Sequence, residues 1–155
     1  MSTLRVLACA ITLSLAACSA ERDAGLLLDP VPFSMSVPAG ILGRLETGPI
    51  KGPFAQDVQE AGALAATTVY YKPVEQGERV IFLTAYWFPE DQFDVLQKPD
   101  EPPMFGFEVL RAGGKVLSVA GPVDSIFAPD TPDGKNLTEL YGTIYLPATY
   151  RARKE

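Results

Sequence analysis

The chain has 155 residues, with 13 Lys and Arg against 19 Asp and Glu, a formal net charge of −6 and an isoelectric point near 4.7. This acidic balance disfavours DNA, RNA and anionic headgroups as partners. Histidine is absent altogether, which closes Ser-His-Asp and Cys-His catalysis and histidine-based zinc or copper sites.

The first predicted element is a leader. Arg5 is the one charged residue before Glu21, and the run from Val6 to Cys18 is thirteen residues without a charge. A positive start, a short apolar core and small residues before a cut are the parts of a secretory signal, and a transmembrane helix needs roughly 20 apolar residues. Leu15-Ala16-Ala17-Cys18 resembles the lipobox of bacterial lipoprotein precursors. That resemblance implies cleavage between Ala17 and Cys18, a diacylglycerol on the Cys18 sulfur and usually an acyl chain on its new amino group. Each buried methylene of such chains contributes about 0.8 kcal/mol, so several chains hold where one is marginal. Ser19, in place of the aspartate associated with inner-membrane retention, implies the periplasmic face of the outer membrane in a Gram-negative host, with the inner membrane as the alternative. The competing reading is an ordinary signal cut after Ala20, which leaves a secreted periplasmic protein.

Removal of residues 1–17 leaves 138 residues and a net charge of −7, because Arg5 is the only charge lost. Both cysteines, Cys9 and Cys18, fall in the leader or at its cut. The mature domain is therefore expected to have no disulfide, no free thiol and no thiolate metal site. Residues 18–25 read as a short polar tether. At roughly 3.3–3.6 Å per residue it holds a single globular domain, residues 26–155, near the bilayer.

Within that domain "LLLDPVP", from Leu26, reads either as linker or as a first edge strand. "FSMSV", Phe33 to Val37, alternates with period two and predicts a half-buried strand. From Ile41 to Pro53 three glycines and two prolines predict a long irregular connection. Phe54 to Ala61 has the spacing of a short helix closing at Gly62. "ATTVYYKP", from Ala66, and "RVIFLTAYWF", Arg79 to Phe88, predict a hairpin whose second strand is buried on both faces and so central in its sheet.

Pro89 to Pro103 is rich in proline and acid and predicts a polar loop. "FGFEVLR" and "KVLSVAG" predict a second hairpin around Ala112-Gly113-Gly114, whose glycines supply the positive φ values of a type I′ turn. After a further loop, Leu137, Leu140, Tyr141 and Ile144 have helical spacing, with Asn136 and Glu139 as a capping pair. Gly142 and the strand-like "TIYL" argue against a helix there, and the spacing favours one. The sum is an α+β fold, an antiparallel β-sheet of about five or six strands with one or two short helices; an all-β sandwich is the alternative. The opening "FSMSVPAG" and the later hairpins resemble PsbP/Mog1-like α/β/α sandwich domains, a likeness that assigns no site.

Three constellations bear on function. Glu90, Asp91, Asp94, Asp100 and Glu101 share one loop, where solvation leaves none with the raised pKa that glycoside hydrolysis requires. Asp124, Asp130 and Asp133-Gly134 lack the alternation of a calcium loop, since Thr131 and Pro132 interrupt it. Tyr86, Trp87, Phe88 and Phe93 concentrate aromatic surface where a strand runs into a loop, and such residues dominate binding hot spots. They form the candidate binding surface, with core filling as the plainer alternative. Arg44, Arg79 and Arg111 could each clamp an anion. The expectation is a non-enzymatic binding or accessory module of the cell envelope, with no cofactor and no metal, membrane-attached through Cys18 and engaging an envelope protein or glycan. The alternatives are a carboxylate-dependent envelope hydrolase and a carrier of a small apolar ligand.

Overall fold

Eight strands in two antiparallel sheets, with helices on both sides of the larger one, make up the part of the chain that the computed structural model describes, residues 24–75, 77–122 and 126–153. The expected leader, its cut and Cys18 lie outside the described residues, as does Asp124. The strands are β1 (Ala24–Leu27), β2 (Phe33–Val37), β3 (Leu45–Gly48), β4 (Ala65–Tyr71), β5 (Val80–Pro89), β6 (Phe107–Ala112), β7 (Lys115–Ala120) and β8 (Tyr150–Ala152). The helices are α1 (Ala39–Leu42), α2 (Phe54–Glu60), α3 (Glu90–Leu96) and α4 (Pro132–Tyr141). One sheet has the order β1-β2-β8 and the other β3-β4-β5-β7-β6. The fold is α+β, as the element pattern predicts. Among the described residues no helix is long and apolar enough to cross a membrane.

The five-stranded sheet is covered on both faces, which explains its composition. One face carries Val69, Leu83, Ala85, Leu117 and Val119. They pack against Phe33, Met35 and Val37 of β2 and against Leu137 and Leu140 of α4. The opposite face carries Tyr86, Phe88 and Val116 under Val58 of α2, Phe93 of α3 and Phe105. β5 contributes to both cores, so it reads as a nearly unbroken apolar run. β2 is covered on one side only, and its serines at 34 and 36 alternate outward with period two.

Several sequence expectations are corrected. The stretch from 41 to 53 holds the end of α1 and all of β3; its glycines and prolines punctuate a short strand whose partner, Tyr71 opposite Leu45, is remote in sequence. The loop expected from Pro89 to Pro103 opens with α3. Glu90 and Asp91 lie in its first turn, where carboxylates suit the helix dipole, and Phe93 anchors it in the core. α4 starts at Pro132 and not at Asn136: the Thr131 hydroxyl caps it by accepting from the Gly134 amide at 3.0 Å. It stops before Gly142, and "TIYL" forms turns rather than a strand. The second hairpin is as predicted, with Gly113 at φ 60° and Gly114 at φ 71°.

A buried hydrogen-bond cluster fastens α4 to the large sheet. Asp133 Oδ1 accepts from the Tyr71 hydroxyl and from the Val74 amide, both at 2.7 Å. Asn136 Nδ2 donates to the Tyr71 oxygen at 2.9 Å. Burial pushes the Tyr71 phenol above its ordinary pKa, and the Asp133 carboxylate adds to the effect.

Candidate functional site

The four aromatic residues expected to form an exposed surface do not form one. Tyr86, Phe88 and Phe93 are 2%, 0% and 2% exposed and fill the core under α2 and α3. Trp87 is half-buried on the other face, edge-on to Phe33 with ring centroids 5.1 Å apart. Successive strand residues alternate faces, so "AYWF" feeds two cores in turn. Burial also pushes the Tyr86 phenol up to about 12.

The three arginines are already engaged. Arg111 binds Glu90, Asp94 and Glu108, each at 2.7 Å. Arg44 Nη1 donates to the Pro73 carbonyl at 3.1 Å. Arg79 lies 4.4 Å from the Tyr70 ring centre and pairs with Glu46 at 3.3 Å. Asp133 is the one carboxylate buried among the described residues, and it serves the α4 attachment. Among the described residues no group of three or more Asp, Glu, Cys or His side chains is placed to hold a metal ion.

What the structure does provide is an open apolar groove of about 630 Å³, within the range of small-ligand sites. It is lined by the chain from Thr47 to Ile50, by Ala55, Val58 and Gln59 of α2, and by Ala63, Ala65 and Ala66. Asp29 and Pro30, just after β1, complete the lining. Asp29 is the charged side chain of this lining, and its Oδ1 lies 2.6 Å from Arg153 Nη2.

The groove exists because β3 is shorter than its partner. β3 pairs with β4 from Leu45 opposite Tyr71 to Gly48 opposite Thr68. Pro49 follows, with no N–H to continue the ladder. The Thr67 hydroxyl donates to the Gly48 carbonyl at 3.2 Å where the pairing ends. β4 itself begins at Ala65, so among the described residues Ala65, Ala66 and Thr67 have no strand beside them on that side. The side chain of Ala65 packs with the core shared by the two sheets, and that of Ala66 with the core under α2. Both line the groove, so it follows the strand edge and not either face.

Sequence reasoning missed this site. Gly48-Pro49 marks a break, but nothing local shows that the strand it ends is one whose partner continues. No family model, curated protein or solved structure matches the chain.

Proposed function

We propose that this chain is a bacterial lipoprotein, anchored through Cys18 at the periplasmic face of the outer membrane, whose domain binds a ligand at the groove beside β4 and does no chemistry. One observation carries the binding part: an apolar groove with Asp29, Thr47 and Gln59 as its polar side chains and, among the described residues, no second carboxylate in its lining. Apolar walls with a few polar groups are how proteins hold ligands, whereas a carboxylate-dependent hydrolase needs two acids about 5–10 Å apart. A carrier of a small apolar molecule uses the same groove, and its volume suits that reading too. Asp29 of the groove lies eleven residues along the chain from Cys18, so a lipid on Cys18 would keep the groove close to the membrane.

Two experiments test this. Cys18→Ala should abolish lipid labelling and accumulate the uncleaved precursor; a wild type that matures without lipid label would overturn the anchor. A photo-crosslinking residue at Gln59, in intact cells, should capture a discrete adduct that the same residue at Asp91 on α3 does not. Equal capture at the two positions would overturn the groove as the binding site.

A further inference from the structure

We infer that the ligand of this groove is an extended peptide segment, which pairs with the unaccompanied part of β4 as an added strand. The inference rests on the groove being the binding site and specifies what it takes.

The backbone supplies the argument. The Lys72 amide donates to the Arg44 carbonyl at 2.8 Å, which fixes the phase of the β3–β4 ladder. With Leu45 opposite Tyr71, the even-numbered residues of β4 direct N–H and C=O toward β3. Thr68 and Tyr70 find β3 there. Ala66 is next in phase, and at its position β3 has ended, so its N–H and C=O face the groove. Among the described residues no loop backbone bonds to Ala66 either.

A purely apolar ligand fits this lining poorly. An acyl chain would displace water from the Ala66 N–H and C=O and return no hydrogen bond, an uncompensated loss. An extended peptide matches both groups with one residue of its own, the mode of recognition by strand addition. Its alternate side chains would be small or β-branched, to fit between Ile50 and Val58. The charge complement is a cation. Asp29 belongs to the lining with its carboxylate side chain 60% exposed despite the Arg153 contact, and the mature chain is net negative. The segment therefore has a Lys or Arg within reach of Asp29 beside an alternating apolar stretch.

The test uses the full mature chain in lipid nanodiscs and a fluorescent synthetic peptide, Lys-Val-Ala-Val-Ala-Val, read by polarisation. Three further probes are its Glu-first counterpart, a counterpart N-methylated on alternate amides, and labelled palmitate. The Lys peptide should bind, and either N-methylation or Ala66→Pro should weaken it about five- to tenfold, the effect of losing main-chain hydrogen bonds. The Glu-first peptide should bind more weakly than the Lys-first one. Undiminished binding of the N-methylated peptide would overturn strand pairing while leaving the groove as a site, and that arm decides alone if Ala66→Pro fails to fold. Palmitate binding without peptide binding would overturn the inference and make the groove a carrier site. Binding of no probe would overturn the inference, and the Gln59 crosslink would then show whether the groove reading falls with it.

Discussion

The two edges of the five-stranded sheet are finished in opposite ways. At the β6 edge the strand is bulged between Glu108 and Leu110. Arg111 there gathers Glu90, Asp94 and Glu108 into one exposed ionic cluster. Charge and a bulge are standard means of stopping an edge strand from recruiting another chain. At the other edge Glu46, paired with Arg79, guards only the first half of β3. Beyond Gly48 the edge passes to β4, where Ala65 and Ala66 present small side chains and Ala66 an open backbone N–H and C=O inside a groove. One edge is closed to strand addition, and the other is open within walls that limit what can enter. Such an opening admits a short segment without inviting open-ended aggregation.

The largest effect expected from breaking this arrangement lies beneath it. Phe88 is fully buried between Phe93 and Phe105, with ring centroids 6.1 and 5.4 Å away. Phe88→Ala should cost about 3–5 kcal/mol in urea denaturation; a loss under about 1 kcal/mol would mean that this core does not support the sheet.

The difference between covered and uncovered parts of β4 can be measured within one strand. Thr68 is 3% exposed and faces Gly48 in the ladder, so Thr68→Pro should destabilise on the order of 3 kcal/mol. Ala66→Pro removes an N–H that faces the groove, and should cost about 1 kcal/mol or less. Equal costs for the two would show that the edge at Ala66 is not open.

Alkaline pH gives a smaller, graded loss. The folded-state pKa of Tyr86 is raised to about 12 by burial, and that of Tyr71 is raised by burial and by Asp133. A raised phenol pKa favours the folded state while the unfolded phenol stays neutral, below about pH 10. That stability is lost as pH rises from there through the folded value. The urea midpoint should hold from pH 7 to 9 and fall between pH 10 and 12. A flat midpoint at pH 11.5 would contradict the burial of these hydroxyls.

Arg111→Ala should give the smallest change in stability, since the pairs are exposed and screened by salt. Hydrogen bonds from Arg111 hold the Asp94 carboxyl below its ordinary value. Its small contribution is therefore present at neutral pH and lost as pH falls below about 4 through that depressed value. The clearer result should be association: light scattering at high protein concentration should rise for Arg111→Ala and stay low for wild type. No rise would mean that the bulge alone protects this edge.

The amino-acid sequence by itself determined whatever depends on neighbours along the chain. Alternation in "FSMSV", the apolar run of β5 and the paired glycines at 113 and 114 each settle a strand or turn over a few residues. The lipobox resemblance at Leu15 to Cys18 is of the same local kind. Tertiary structure alone decided the rest. Alternation shows that Tyr86 and Trp87 point opposite ways but not that both faces are covered; α2, α3, β2 and α4 do the covering. β3 and β8 are too short to have a period of their own and exist because Tyr71 and Met35 lie opposite them. The groove depends on one strand ending before its partner, a relation between Pro49 and Ala66 that pairing creates and no local pattern contains.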